Sequence, residues 1–82
     1  MDGKINRIKA MLVDKGKINR WLAMQLDKDP ATVSKWCTNS AQPSLETMMQ
    51  IAKLLNVDMN DLVRFEALPE IPSPEEAEEK IQ

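Results

Sequence analysis

The sequence predicts an all-α fold, with five short helices in residues 1–65 and an acidic, proline-rich tail in residues 66–82. Apolar residues recur at spacings of three and four in several short segments, which is the period of an amphipathic helix. Residues that favour helix starts and stops, such as Asp29-Pro30 and Asn56, separate these segments. No segment alternates apolar and polar residues as a half-buried strand does.

The first two helices are predicted from their apolar faces. The face of the first helix is formed by Ile5, Ile8, Met11 and Leu12. Gly16 then provides a C-terminal stop. The face of the second helix is formed by Leu22, Ala23 and Leu26. Ala23 is small enough to let a neighbouring helix approach closely.

The third helix begins at a proline. The Asp29 carboxylate can accept hydrogen bonds from free N–H groups there, and Pro30 lacks an N–H that would have no partner at that position. Val33 and Trp36 give this helix an inward face. The connection Asp27–Asp29 is so short that the second and third helices must cross steeply, as in a helix-turn-helix.

The last two helices follow a polar loop. Ser44 is the predicted N-cap of the fourth helix, and Asn56 is its left-handed stop. The apolar positions of this helix are Leu45, Met48, Ile51, Ala52 and Leu55. Asp58 and Asp61 have the spacing of a capping box and predict a short fifth helix that includes Leu62 and Val63.

Charge is divided unevenly along the chain. Residues 1–65 carry ten Lys/Arg and seven Asp/Glu, whereas residues 66–82 carry one lysine and six glutamates. A basic body fits an anionic partner better than the whole-chain net charge of −2 suggests. We expect the tail to be flexible, with a short extension that binds a dimer mate or another partner as the alternative. It could also compete with such an anionic partner for the basic face.

Composition argues against several classes of protein. The chain has no histidine and one cysteine, Cys37, so it lacks the commonest general base and metal ligand, and it cannot form an internal disulfide. No apolar run approaches the roughly 20 residues of a membrane helix. We therefore expect a cytoplasmic protein that is not an enzyme and that uses no cofactor and no metal. Cys37 is read as a packing residue, with a redox switch as the alternative.

The outward face of the third helix is small, polar and basic. At about 100° per residue, Ala31 and Lys35 point away from Val33. The residues that flank this outward face are Thr32, Ser34 and Thr38. With no bulky group to block a close approach, a helix of this kind fits the DNA major groove.

The segments "WLAMQL", "ATVSKW" and "PSLETMMQIAKLLNVDMNDLV" resemble the Cro/lambda-repressor-like helix-turn-helix family, the XRE group, and the resemblance extends over residues 5–64. It implies a compact lambda-repressor-like domain whose third helix, residues 30–37, lies in the major groove. It further implies that Asn19 contacts the backbone and braces the third helix. The full set of implied DNA-binding residues is Asn19, Lys28, Ala31, Thr32, Ser34, Lys35, Thr38, Asn39 and Ser40.

Three features depart from the family pattern. Asp27 stands where the turn usually has glycine, although aspartate tolerates the left-handed conformation better than most residues. Ile18 stands at a helix start that usually has a serine or threonine cap, which costs about 1 kcal/mol. The recognition face also lacks Arg, Asn and Gln, so specificity would be modest or would depend on DNA shape.

We therefore expect a sequence-specific transcriptional regulator, a repressor, that binds double-stranded DNA as a homodimer. The expected dimer surface lies near the fifth helix and consists of Val57, Leu62, Val63, Phe65 and Leu68. The rival interpretation is a protein-interaction module, such as an antitoxin whose tail folds on a protein partner. Trp36 is predicted to lie in the core, and Trp21 either covers the edge of the core or faces a partner.

Overall fold

Four α-helices and two short 3-10 helices make up the computed structural model, which describes residues 4–67. The α-helices are α1 (Ile8–Asp14), α2 (Asn19–Leu26), α3 (Pro30–Cys37) and α4 (Leu45–Leu55). The 3-10 helices are Met59–Leu62 and Phe65–Ala67. Over these residues the all-helical prediction is confirmed. The predicted tail begins within the second 3-10 helix, and its part from residue 68 onward lies outside the described residues.

The predicted fifth α-helix is instead a single 3-10 turn, so the domain has four α-helices and not five. Its predicted caps are present: the Asp58 carboxylate accepts from the Asn60 N–H (3.4 Å), and the Asp61 carboxylate accepts from the Asp58 N–H (3.1 Å). Val63, however, is extended (φ −124°, ψ 154°). The segment Met59–Leu62 is thus too short to form α-helical i→i−4 bonds and adopts the tighter 3-10 geometry.

The start of the chain is extended and pairs with the end of the domain. The prediction that Ile5 lies on the first helix is wrong, because α1 begins at Ile8. The Arg7 N–H donates to the Leu62 carbonyl, and the Arg64 N–H donates to the Ile5 carbonyl, each at 2.9 Å. A regular period of apolar residues could not reveal this pairing, since the two segments are more than fifty residues apart in sequence.

One hydrophobic core joins all four α-helices and the first 3-10 helix. Its largest fully buried side chains are Ile8, Leu12, Leu22, Val33, Ile51 and Leu62. Trp36 is 6% exposed, which confirms its predicted place in the core. The assignment of Leu45 to the buried apolar face of α4 is wrong, because its side chain is 70% exposed.

Each α-helix is followed by a residue with a positive φ, which ends the helix in the left-handed region. These residues are Gly16 (69°), Asp27 (54°), Asn39 (63°) and Asn56 (56°). At α2, for example, the Lys28 N–H returns to the Ala23 carbonyl at 2.9 Å and satisfies a free acceptor of the last turn. The stops predicted at Gly16 and Asn56 and the left-handed turn at Asp27 are confirmed, whereas the stop at Asn39 was not predicted.

Candidate nucleic-acid interface

The position of α3 is fixed by its N-cap and by its buried face. Asp29 Oδ1 accepts a hydrogen bond from the Ala31 N–H (2.9 Å), and Pro30 is the first helical residue, as predicted. Val33 is fully buried and Trp36 nearly so. Of the described elements, α2 and α3 pack most extensively against each other. The packing of its buried face against the rest of the domain therefore sets the orientation of α3.

The outward face of α3 is open to solvent. Its four exposed residues are Ala31, Thr32, Ser34 and Lys35. None of these side chains is aromatic, and threonine is the only branched one. The helix backbone can therefore approach another molecule closely. Lys28, in the turn before α3, is also exposed. This part of the predicted site is thus a continuous polar surface that carries two lysines.

Asn19, the first residue of α2, joins three helices. Its Oδ1 accepts from Lys9 Nζ (3.2 Å) in α1 and from Cys37 Sγ (3.4 Å) at the end of α3. Asn19 is therefore in contact with α3, as the predicted bracing role requires. Burial raises the pKa of the Cys37 thiol, and the nearby charge of Lys9 partly opposes that rise. Cys37 is consequently a thiol at neutral pH, which makes it a poor nucleophile.

The loop after α3 contains the remaining predicted DNA-binding residues. Thr38 and Ser40 are exposed, and their hydroxyl oxygens lie 2.9 Å apart in a mutual hydrogen bond. Asn39 is half-buried, and its Oδ1 accepts from the N–H groups of Ile5 and Asn6, each at 2.8 Å. The Asn39 side chain therefore holds the start of the chain against the end of α3.

Asn6 completes this polar connection and was missed by the sequence analysis. Its side chain is buried; Nδ2 donates to the Trp36 carbonyl (2.9 Å) and to Gln42 Oε1 (2.7 Å), and Oδ1 accepts from the Ile8 N–H (3.0 Å). No local pattern distinguishes a buried asparagine from an exposed one.

A basic cleft next to α3 was also missed. It has a volume of about 280 Å³, and four of its lining residues are the cations Lys4, Arg7, Lys9 and Arg64. The other lining residues are Asn6, Ala10, Cys37 and Asn39. The four cations are scattered over sixty residues of sequence and meet only because the start of the chain pairs with the segment Leu62–Arg64. We call this feature the basic cleft.

The residues predicted to form a dimer surface differ widely in exposure. Leu62 is fully buried in the core of its own chain, so its assignment to a dimer interface is wrong. Val57 and Val63 are half-buried against the same core, and Phe65 is 74% exposed. Leu68 lies outside the described residues. Among the described members of the predicted set, Phe65 therefore offers the largest exposed apolar side chain.

Residues 4–67 contain no group of three or more potential metal ligands. None of the helices described is long and apolar enough to cross a membrane.

Comparisons with known proteins agree with this architecture. A sequence model of the helix-turn-helix family matches residues 8–62, which is more than half of the chain. A crystal structure of a protein from Bacteroides fragilis, named as a proposed DNA-binding protein, is similar at a TM-score of 0.72 and 48% sequence identity. The match covers 73% of this chain and 97% of that one. No curated protein matches. The chain belongs to the XRE-type helix-turn-helix family.

Proposed function

We propose that this protein binds double-stranded DNA through α3 and regulates transcription. The observation that carries the proposal is the outward face of α3, which is small, polar and basic on a helix whose other face is buried in the core. Family membership and the name of the Bacteroides fragilis protein support the same function. A major groove about 12 Å wide admits an α-helix, and this face has nothing bulky to prevent its entry.

In this complex the exposed side chains of α3 have different roles. Lys35 can donate to guanine O6 and N7 or pair with a phosphate, and Ala31 can contact a thymine methyl. Thr32 and Ser34 can donate to or accept from several bases. Lys28, Thr38 and Ser40 lie at the two ends of α3, where contacts to the phosphate backbone would fix its register.

In this proposal, Asn19 and Asn39 contribute mainly by holding other parts of the domain in place. Both side chains already join elements of the domain, Asn19 through Lys9 and Cys37, and Asn39 through the N–H groups of Ile5 and Asn6. Their contribution to DNA binding is to hold the ends of α2 and α3 and to offer backbone groups to phosphates.

A single helix of eight residues gives little contact, so we propose that the protein acts as a homodimer on two half-sites one helical turn apart. Phe65, which is 74% exposed, supports a partner surface near the end of the domain. Repression by occupancy of the DNA site is the mode of regulation that we propose for this dimer.

The second candidate is a protein-interaction module. It is favoured by large apolar side chains that are exposed at 70% or more, namely Met24, Leu45 and Phe65. Such side chains are not needed for DNA binding and can anchor a protein partner.

Binding of the full chain to random and to own-promoter duplexes across a salt series tests both candidates. We expect a steep salt dependence together with preference for a roughly palindromic sequence. A steep salt dependence without preference would leave DNA binding but remove sequence-specific regulation. No binding at low salt would reject the proposal and favour the protein-interaction module.

A further inference from the structure

The basic cleft is not explained by the base-reading face of α3. Its four cations come from the start of the chain (Lys4), from α1 and its N-cap (Lys9 and Arg7) and from the segment after the first 3-10 helix (Arg64). Among residues 4–67, no carboxylate lines it. Glu66, whose side chain is 71% exposed, pairs with Arg64 at 3.3 Å.

Arg7 and Lys9 place two like charges at this cleft, and like charges repel each other. A cleft lined by one sign of charge concentrates the electrostatic field and attracts the opposite charge. Guanidinium groups and ammonium groups are the side chains that bind phosphate oxygens best. The cleft therefore has the chemistry of a phosphate site.

The walls of the cleft are rigid. The Asn6 side chain is buried with three hydrogen bonds, and Asn39 donates from Nδ2 to the Asn6 carbonyl (3.2 Å) while its Oδ1 holds the N–H groups of residues 5 and 6. Lys9 is oriented by its bond to Asn19 Oδ1 (3.2 Å). The cations around the opening are thus carried on a backbone that is fixed before any ligand arrives, which lowers the entropy lost on binding.

The cleft also adjoins both helices of the proposed DNA reader. Cys37 closes α3 and lines the cleft, and Asn19, which begins α2, bonds to Lys9 and Cys37 at its edge. A helix in the major groove has a sugar-phosphate backbone on either side of it. A duplex that receives α3 would therefore bring phosphates close to this end of the helix.

We propose that the basic cleft binds a phosphate group, with Arg7 and Lys9 as its principal ligands. The phosphate can be a phosphodiester of the DNA that α3 reads, in which case the inference rests on the proposed function. It can also be a free phosphorylated molecule. A volume of about 280 Å³ accommodates either, since one water occupies about 30 Å³.

The test uses the full chain and the variants Arg7→Gln and Lys9→Gln. Lys15→Gln is the matched control. Lys15 follows α1, is exposed and does not line the cleft, and its substitution removes the same charge. The Arg7 backbone N–H, which bonds to Leu62, is kept in the first variant. Thermal unfolding is measured first, and we expect both cleft variants to fold with a Tm equal to or above that of the wild type.

The DNA arm measures affinity and salt dependence on specific and random duplexes. For a DNA phosphate, each cleft variant should lower affinity to a similar extent on all sequences, by about tenfold, and should reduce the slope of log K against log salt by about 0.9. Lys15→Gln should change neither quantity. The second arm measures the rise in Tm that inorganic pyrophosphate gives, which is expected for the wild type and lost in Arg7→Gln if the cleft takes a free phosphate.

The outcomes separate this inference from the proposed function. If only the cleft variants lose DNA affinity, or only they lose the rise in Tm with pyrophosphate, the phosphate site is supported. The arm that shows the loss tells whether the phosphate belongs to DNA or to a free molecule. If the wild type and both cleft variants bind DNA with equal affinity, and pyrophosphate does not raise the Tm, the phosphate site is rejected. The proposed function is then unaffected. No DNA binding by the wild type rejects the proposed function, and the pyrophosphate arm then decides the cleft alone.

Discussion

At the scale of single residues, Lys35 bears most of the proposed sequence recognition. It is exposed in the last turn of α3, and it is the longest donor on a face that has no arginine, asparagine or glutamine. Thr32 and Ser34 accept and donate without strong preference, so they can tune recognition but not replace this lysine.

We expect Lys35→Ala to weaken binding to the preferred DNA sequence. A lost lysine contact to guanine should cost about 1–3 kcal/mol and relax preference at one base position. Competition binding with a duplex library measures both effects. Lys53→Ala, an exposed lysine in the last turn of α4, is the matched control. Unchanged affinity of Lys35→Ala would contradict the assignment of α3 as the reading helix.

Asn39, which the sequence predicts to bind DNA, also has contacts that stabilise the fold. We expect Asn39→Ala to lower the free energy of unfolding by about 2–3 kcal/mol, because two backbone N–H groups lose their acceptor. Asn56→Ala is the control, since Asn56 has a similar φ but an exposed side chain, and it should cost only about 1 kcal/mol. Urea unfolding measures both; equal losses would show that the Asn39 side-chain bonds add nothing.

At the scale of elements, the sequence predicted helices well and their ends less well. Local spacing predicted the four α-helices, the Asp29 and Ser44 caps and the outward face of α3. These features depend on interactions between residues that are close in sequence. The extended start of the chain was missed, since Ile5 fits the helical period but its backbone pairs with Arg64. The basic cleft was missed for the same reason, because that pairing brings its cations together.

The start of α2 lacks a side-chain cap. Its N-cap, Ile18, makes no side-chain hydrogen bond and is 63% exposed, as the poor cap predicted from the sequence implies. We expect Ile18→Thr to raise the free energy of unfolding by about 1 kcal/mol, since a hydroxyl would satisfy a free N–H and little burial would be lost. The reverse control is Ser44→Ala, which removes the cap of α4 and should cost about 1 kcal/mol. A neutral or destabilising Ile18→Thr in urea unfolding would contradict this account.

At the scale of the whole molecule, the proposed dimer depends on a surface outside the core. We expect Phe65→Ser to shift the protein toward monomer without unfolding it, because the Phe65 side chain is 74% exposed in the single chain. Met24→Ser is the matched control, at 72% exposure on α2. Sedimentation over a range of concentrations measures the shift. A dimer that survives Phe65→Ser, or a larger shift with Met24→Ser, would place the interface elsewhere.

The last prediction concerns the division of charge along the chain. Residues 68–82 carry five glutamates and one lysine, so their removal changes the net charge from −2 to +2. The cut should follow Ala67, because Ala67 is buried and Glu66 pairs with Arg64. We expect the shortened chain to bind every duplex more tightly at low salt, with the gain shrinking toward zero near 1 M salt, where the Debye length falls to about 3 Å.

A matched full-length variant decides how this acidic segment acts. Changing Glu70, Glu75, Glu76 and Glu79 to glutamine keeps the length of this segment. Its net charge becomes zero, because Glu78 and Lys80 cancel. If repulsion of DNA is the cause, this variant should reproduce the tighter binding of the shortened chain. Equal affinity of the wild type and the shortened chain at low salt would show that the segment does not oppose DNA, and would direct attention to its use with a protein partner.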